Sequence, residues 1–204
     1  MTLSRRQFLG QAALAAGSLP VLGSELRRPY GANDRLRVAV IGVKGRGDAH
    51  ISYFLKMQDV EIVAIADVDP NVVEGALAKI EKASGRRPVH HTDVRKLMED
   101  KSIDAVSIAT TNQTHSLFGI WALQAGKHAY IEKPMSHNVF EGQKVVEAQK
   151  KYGKVVQHGT QSRSMKGMRD AMAVLHSGAL GKVKLARGFC YKQRKSIGSF
   201  ADGE

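Results

Sequence analysis

The stretch from Leu36 to Asp69, LRVAVIGVKGRGDAHISYFLKMQDVEIVAIADVD, constrains the fold more than any other part of the chain. An apolar run, Val38 to Ile41, meets a cluster of glycines at 42, 45 and 47. A helix-length segment follows, and a second apolar run, Ile62 to Ala66, ends at Asp67. Two short apolar runs on either side of a helix predict parallel strands joined by a crossover, the unit of an open α/β sheet. Gly42 has no Cβ and can turn sharply off the first strand, while Gly45 and Gly47 let backbone amides and the helix start approach a pyrophosphate. Asp67 lies 25 residues beyond Gly42, close to the spacing at which a strand-tip acid accepts hydrogen bonds from an adenosine ribose. A carboxylate there also repels a 2′-phosphate, which favours NAD over NADP.

The turn departs from the GxGxxG pattern at one place. Lys44 stands where the second glycine belongs, so its side chain either points outward or contacts phosphate itself. Gly42, Lys44, Gly45, Arg46 and Gly47 form the candidate phosphate turn. The alternative is a plain βαβ unit whose glycine-rich turn holds no nucleotide.

The 204 residues have room for one full core and part of another. The net charge of +12 comes from lysines and arginines spread over many predicted helices, without aromatic interleaving or a nucleic-acid motif, and predicts a basic surface rather than a DNA or RNA partner. A single cysteine, Cys190, excludes both an intramolecular disulfide and a CxxC metal site, and no metal is expected. At the N-terminus, Ser4-Arg5-Arg6-Gln7-Phe8-Leu9 is a twin-arginine pattern. The apolar segment behind it, Ala12 to Leu22, is too short and too rich in Ala and Gly for a stable membrane span. Residues 1–30 are therefore expected to be an export signal and linker, sending a folded chain to the periplasm or beyond.

Past Asp69-Pro70, helical spacing covers Asn71 to Ser84 and stops at Gly85. Val89 to His91 is a short strand candidate, and Asp93 caps a helix carrying Val94, Leu97 and Met98. Ile103 to Ala109 reads as a buried strand, followed by a helix to Ala125 and a strand from Ala129 to Ile131. A helix over 138–151 and a strand over Val155 to Gln157 come next. This alternation demands parallel pairing with right-handed crossovers, hence a doubly wound α/β sheet of the Rossmann type over residues 31–160. Ligands of such sheets bind at the strand tips. Three tips here carry polar groups: Asn112 and His115, then Glu132 and Lys133, then His158, Gln161 and Arg163. Taken alone, His115 reads more readily as a histidine at a helix start than as a functional one, and His158 reads as a core histidine.

The glycine turn, Asp67, Thr110-x-Asn112-x-x-His115, AGKHAYIEKP from Ala125 to Pro134 and VVQHGTQSRS from Val155 to Ser164 together resemble the Gfo/Idh/MocA family of NAD(P)-dependent oxidoreductases, in particular its exported twin-arginine branch. The resemblance covers about residues 35–200. It implies a cis bond before Pro134 and places Lys133 beside the nicotinamide and the reacting hydroxyl, where it stabilises charge as hydride moves. It also implies cofactor contacts from Thr110, Asn112, His115, Glu132, Lys133 and Gln161. Thr111 replaces the proline and Gln113 the first histidine of the family's TPNxxH loop.

From Ser162 a helix to His176 and strand-like alternation over Val183 to Tyr191 are expected to begin a second, α+β domain for substrate and oligomer contacts, incomplete within 161–204. The resemblance implies a sugar-like or cyclitol substrate, and homo-oligomers for the full-length protein. A glycosidase working by transient oxidation and elimination is the rival reading, and a non-catalytic nucleotide-binding fragment is the third.

Overall fold

The computed structural model of the chain describes residues 35–189. The twin-arginine segment, Cys190 and the last strand-like residues lie outside them. Six strands form a single parallel sheet in the order β3-β2-β1-β4-β5-β6: β1 (Leu36–Ile41), β2 (Val60–Ala66), β3 (Val89–His91), β4 (Ala105–Ile108), β5 (His128–Glu132) and β6 (Val156–Gly159). Strand order reverses between β1 and β4, so the chain is doubly wound, as its alternation predicted.

Among the described residues six α-helices cross between or follow the strands: α1 (Arg46–Phe54), α2 (Pro70–Ser84), α3 (Val94–Glu99), α4 (His115–Gln124), α5 (Val139–Tyr152) and α6 (Lys166–His176). Their ends follow local chemistry. Asp69, Asp93 and Asn138 each accept a backbone N–H of the first helical turn, and Pro70 starts α2, where its missing N–H costs nothing. Gly85 and Gly153 end α2 and α5 in the left-handed region.

The central strands are apolar on both faces and build two cores. One holds Val40, Ile65 and, across a register shift at Val63, Ile62 against Ile51, Val73, Leu77 and Ile80 of α1 and α2. The other carries Ile41, Val106, Ile108, Ala129 and Ile131 against Leu97, Ala122 and Val145 of α3, α4 and α5.

Two expectations at the C-terminal end change. The helix expected from Ser162 is a 3-10 turn over Gln161–Ser164, then an extended Met165, then α6, which buries no residue. No strand forms over residues 183–189; among the described residues no strand lies beside the segment to complete its ladder hydrogen bonds.

Candidate functional site

The C-terminal tips of β1, β2, β4, β5 and β6 bring the predicted residues to one edge of the sheet. A cavity of about 450 Å³ opens at the tips of β1, β2 and β4, where the strand order reverses. It is lined by Gly42, Lys44, Asp67, Val68, Thr92, Val94, Thr110, Thr111 and Phe118, a mostly apolar slot with one carboxylate and one ammonium group at its rim. A larger cavity of about 810 Å³ lies at the opposite end of the sheet, around Phe54 to Ile62 and Ala83. It has neither a glycine turn nor convergent strand-tip groups, and volume alone does not make a site.

The three turn glycines are required for different reasons. Gly42 combines a φ of 82° with a Cβ position 2.8 Å from the Ala109 carbonyl oxygen. Gly45 sits at φ 56° in open space, so the backbone alone selects it. Gly47 has an ordinary backbone, but a Cβ there would lie 1.7 Å from the Gly42 carbonyl oxygen. Its place is thus close packing of the start of α1 on the end of β1, rather than direct approach to a pyrophosphate. No side chain caps Gly45 at the N-terminus of α1. The Gly47 N–H closes the turn onto the Lys44 carbonyl at 3.1 Å, and the positive end of the helix dipole, with no side chain over it, is left for an anion. Together with the cradle that a Cβ at Gly42 would fill, this fits a dinucleotide.

Asp67, half-buried at the tip of β2, accepts the Val43 N–H at 2.8 Å on one carboxylate oxygen and the Asp69 N–H at 3.0 Å on the other. Those two bonds fix its rotamer and leave a lone pair on each oxygen for ribose hydroxyls. Lys44 is exposed and lines the rim of the cavity.

At the other tips, Lys133 is exposed and follows β5 immediately, with a cis bond to Pro134. Asn112 starts a short 3-10 turn, Asn112–Thr114, and Gln161 starts another after β6; both are exposed. Thr110 is half-buried, its hydroxyl 2.7 Å from that of Thr114. Arg163 is exposed, and His158 is half-buried beside Ile131 in register, with a buried Nε2 that has no partner among the described residues.

Glu132 and His115 differ from their sequence assignment. His115 is 1% exposed, and its ring spans two carbonyl oxygens, Nδ1 to Pro134 at 2.6 Å and Nε2 to Thr110 at 3.0 Å. Glu132 is 2% exposed and accepts from Arg46 Nε at 2.6 Å, His50 Nε2 at 3.1 Å and the Lys133 N–H at 3.0 Å. Both side chains are spent inside the protein, so they shape the site instead of lining it. Arg46, assigned to the phosphate turn, likewise directs its Nε to Glu132.

Burial alone would push the Glu132 carboxyl up; Arg46, the Lys133 amide and His50 outweigh it and hold the carboxyl below its ordinary range. Burial pushes His50 down against the pull of Glu132, so the ring is neutral. A carboxylate only accepts, hence His50 donates from Nε2, and its Nδ1 accepts from the Ser107 hydroxyl at 2.8 Å. The Tyr130 ring stands edge-on to His50 at 5.3 Å, and burial raises the Tyr130 phenol.

His50, Ser107 and Tyr130 were not singled out from sequence. A signal was present: Arg46 and His50 are four apart on one helix face, and Tyr130 and Glu132 two apart on one strand face. Among the described residues no group of His, Cys, Asp or Glu is placed to hold a metal ion, and no helix is long and apolar enough to cross a membrane.

The chain is similar to known proteins over the same sheet. The family model described as oxidoreductase family, NAD-binding Rossmann fold (Gfo/Idh/MocA) matches residues 36–160. A glycosyl hydrolase family 109 protein of Shewanella pealeana is 30% identical over 168 residues, which cover 72% of this chain and 37% of that protein. An inositol 2-dehydrogenase of Salmonella typhimurium is 29% identical over 160 residues, 76% of this chain and 46% of that one. The crystal structure of a myo-inositol 2-dehydrogenase from Lactobacillus plantarum superposes with a TM-score of 0.67 at 26% identity, covering 74% of this chain and 43% of the other. The chain spans less than half the length of these relatives.

Proposed function

Because the chain belongs to the Gfo/Idh/MocA family of NAD-binding oxidoreductases, we propose that it is an NAD-dependent oxidoreductase acting on a ring hydroxyl of a sugar or cyclitol. One observation carries the reading: the uncapped start of α1, the Asp67 carboxylate and the exposed Lys133 lie at the C-terminal tips of β1, β2 and β5, along the same edge of one parallel sheet. When bound, the nicotinamide supplies a hydride acceptor or donor. The amides at the start of α1 would hold the pyrophosphate, and Asp67 would accept from the adenosine ribose and disfavour a 2′-phosphate. Lys133 would donate a hydrogen bond to the substrate oxygen and balance the charge that builds there as hydride moves. Thr110, Asn112 and Gln161 would flank the nicotinamide half.

A second reading has support of its own, since a relative as similar as the dehydrogenases is described as a glycosyl hydrolase family 109 protein. There, hydride would leave and return to the same sugar, with elimination of the glycoside between. The experiment that tests both supplies the protein with NAD and either free inositols and hexoses or aryl glycosides. Net NADH from the polyols supports the dehydrogenase. Aglycone release without net NADH supports the glycosidase, and neither product refutes both.

Arg5 and Arg6 support export of a folded chain by the twin-arginine route, which would carry NAD out as a tightly held cofactor. Exported protein that is nucleotide-free and active only with added NAD would count against this.

A further inference from the structure

The exposed Lys133 is held by buried neighbours. Its backbone N–H donates to Glu132 Oε2 at 3.0 Å, while Glu132 Oε1 accepts from Arg46 Nε at 2.6 Å. Arg46 is the first residue of α1, directly after Gly45 of the phosphate turn. The path from that turn to the lysine backbone is thus one guanidinium and one carboxylate long. Glu132 has little freedom to choose another partner. His50 holds the same oxygen as Arg46 and is itself anchored by Ser107. Gly159 leaves no slack on the far side, because a Cβ there would already lie 3.2 Å from Glu132 Cδ. On the other flank, His115 at the start of α4 donates to the Pro134 carbonyl, so the Lys133-Pro134 unit is tied to β5 at one end and to α4 at the other.

We propose that Arg46, acting through Glu132, is a positioning residue for Lys133: it locks the lysine's backbone to the phosphate turn, so that a dinucleotide seated on the turn and the lysine that works on it share one rigid frame. This rests on the reading that Lys133 acts at the cofactor. It gives Arg46 a role different from that of a phosphate ligand, although it sits in the turn. The guanidinium suits the task because its planar fork can hold a carboxylate in fixed orientation while a buried ionised acid needs a permanent counter-charge.

The test uses the whole ¹⁵N-labelled chain, with hydrogen exchange read at the Lys133 amide and calorimetric titration with ADP-ribose, which probes the phosphate turn without a nicotinamide. In Arg46→Met the Lys133 amide exchanges at least tenfold faster while those of Val40 and Ile108 in the sheet core keep their rates, and the ADP-ribose Kd changes less than threefold. Glu132→Gln gives the same pattern, and adding Arg46→Met to it speeds exchange no further. Arg46→Lys, which restores a cation, recovers at least part of the protection and serves if the methionine variant does not fold. An ADP-ribose Kd weakened tenfold or more with Lys133 exchange unchanged makes Arg46 a phosphate ligand and overturns the proposal. So does an unchanged Lys133 amide in Glu132→Gln. Failure of the unaltered chain to bind ADP-ribose or NAD defeats the functional reading instead, and the exchange rates still decide the tie.

Discussion

Replacing Gly47 by alanine tests the join between β1 and α1. The new methyl carbon would lie 1.7 Å from the Gly42 carbonyl oxygen and 2.7 Å from its carbon, whereas a relaxed carbon–oxygen contact needs about 3.3 Å. Both atoms are backbone, so no rotamer change relieves the clash; the helix start must lift off the strand tip by about 1.6 Å. That shift would pull Val43 and Ile51 out of a packed core in which both are buried. Overpacking alone costs about 1–3 kcal/mol, and loosened core contacts bring the expected loss to about 3 kcal/mol or more. Two other glycines calibrate the result. Gly45→Ala meets no atom within 4 Å but must hold φ 56° and ψ −103°, outside the left-handed helical well, at a cost of about 1–3 kcal/mol. Gly75, exposed inside α2 with nothing within 4 Å, should gain up to about 1 kcal/mol on becoming alanine. Urea unfolding followed by circular dichroism should rank Gly75→Ala above the parent, then Gly45→Ala, then Gly47→Ala. A Gly47→Ala protein within about 0.5 kcal/mol of the parent, the usual range for a neutral substitution, would refute the close-packing argument.

Other consequences can be checked separately. Asp67→Ser should weaken NAD binding about tenfold or more, since a charge-assisted bond contributes about 1.5–3 kcal/mol, and should narrow the preference over NADP; parallel titrations of both nucleotides measure it. Lys44→Gly should weaken ADP-ribose binding a few-fold at low salt and not at high salt, because an exposed ammonium acts through a screened field; a salt-independent loss would mean direct contact. Stability should fall with acid in two steps. His50 is depressed by burial, so the unfolded chain takes up the proton first as pH drops through the histidine's usual 6.5. Glu132, held below its usual 4.5, then loses its stabilising contribution as pH falls below that value. Melting temperatures of the parent and of His50→Gln between neutral and acid pH should show the upper step in the parent alone.

Much of the fold was legible because its signals are local. Apolar runs at 38–41 and 62–66, the cap at Asp93 and the left-handed stop at Gly85 all act within a few residues. The strand-tip rule then placed Asp67, Asn112 and Lys133 on one edge. What the sequence hid was which polar residues face inward. Glu132 and Lys133 are adjacent, yet Glu132 closes β5 inside the protein while Lys133, just past the strand end, is exposed, and only the α1 crossing shows that Arg46 and His50 meet Glu132 across 86 and 82 residues of chain. His115 was ambiguous for the same reason, since its partners, the Pro134 and Thr110 carbonyls, are set by tertiary approach. Gly47 pointed to the right turn for another reason, helix-on-strand packing. The alternation after Val183 misled because period-2 patterning makes a strand only where a neighbour completes the ladder.

The most direct measurement of the central claim is a titration of NAD into the ¹⁵N-labelled chain, followed residue by residue. A nicotinamide dinucleotide site at the strand tips predicts saturable shifts at Gly42, Gly45, Gly47, Asp67, Thr110, Asn112 and Lys133, with Phe54 to Ile62 around the larger cavity unmoved. Shifts confined to that opposite end, or none at any NAD concentration, would contradict it.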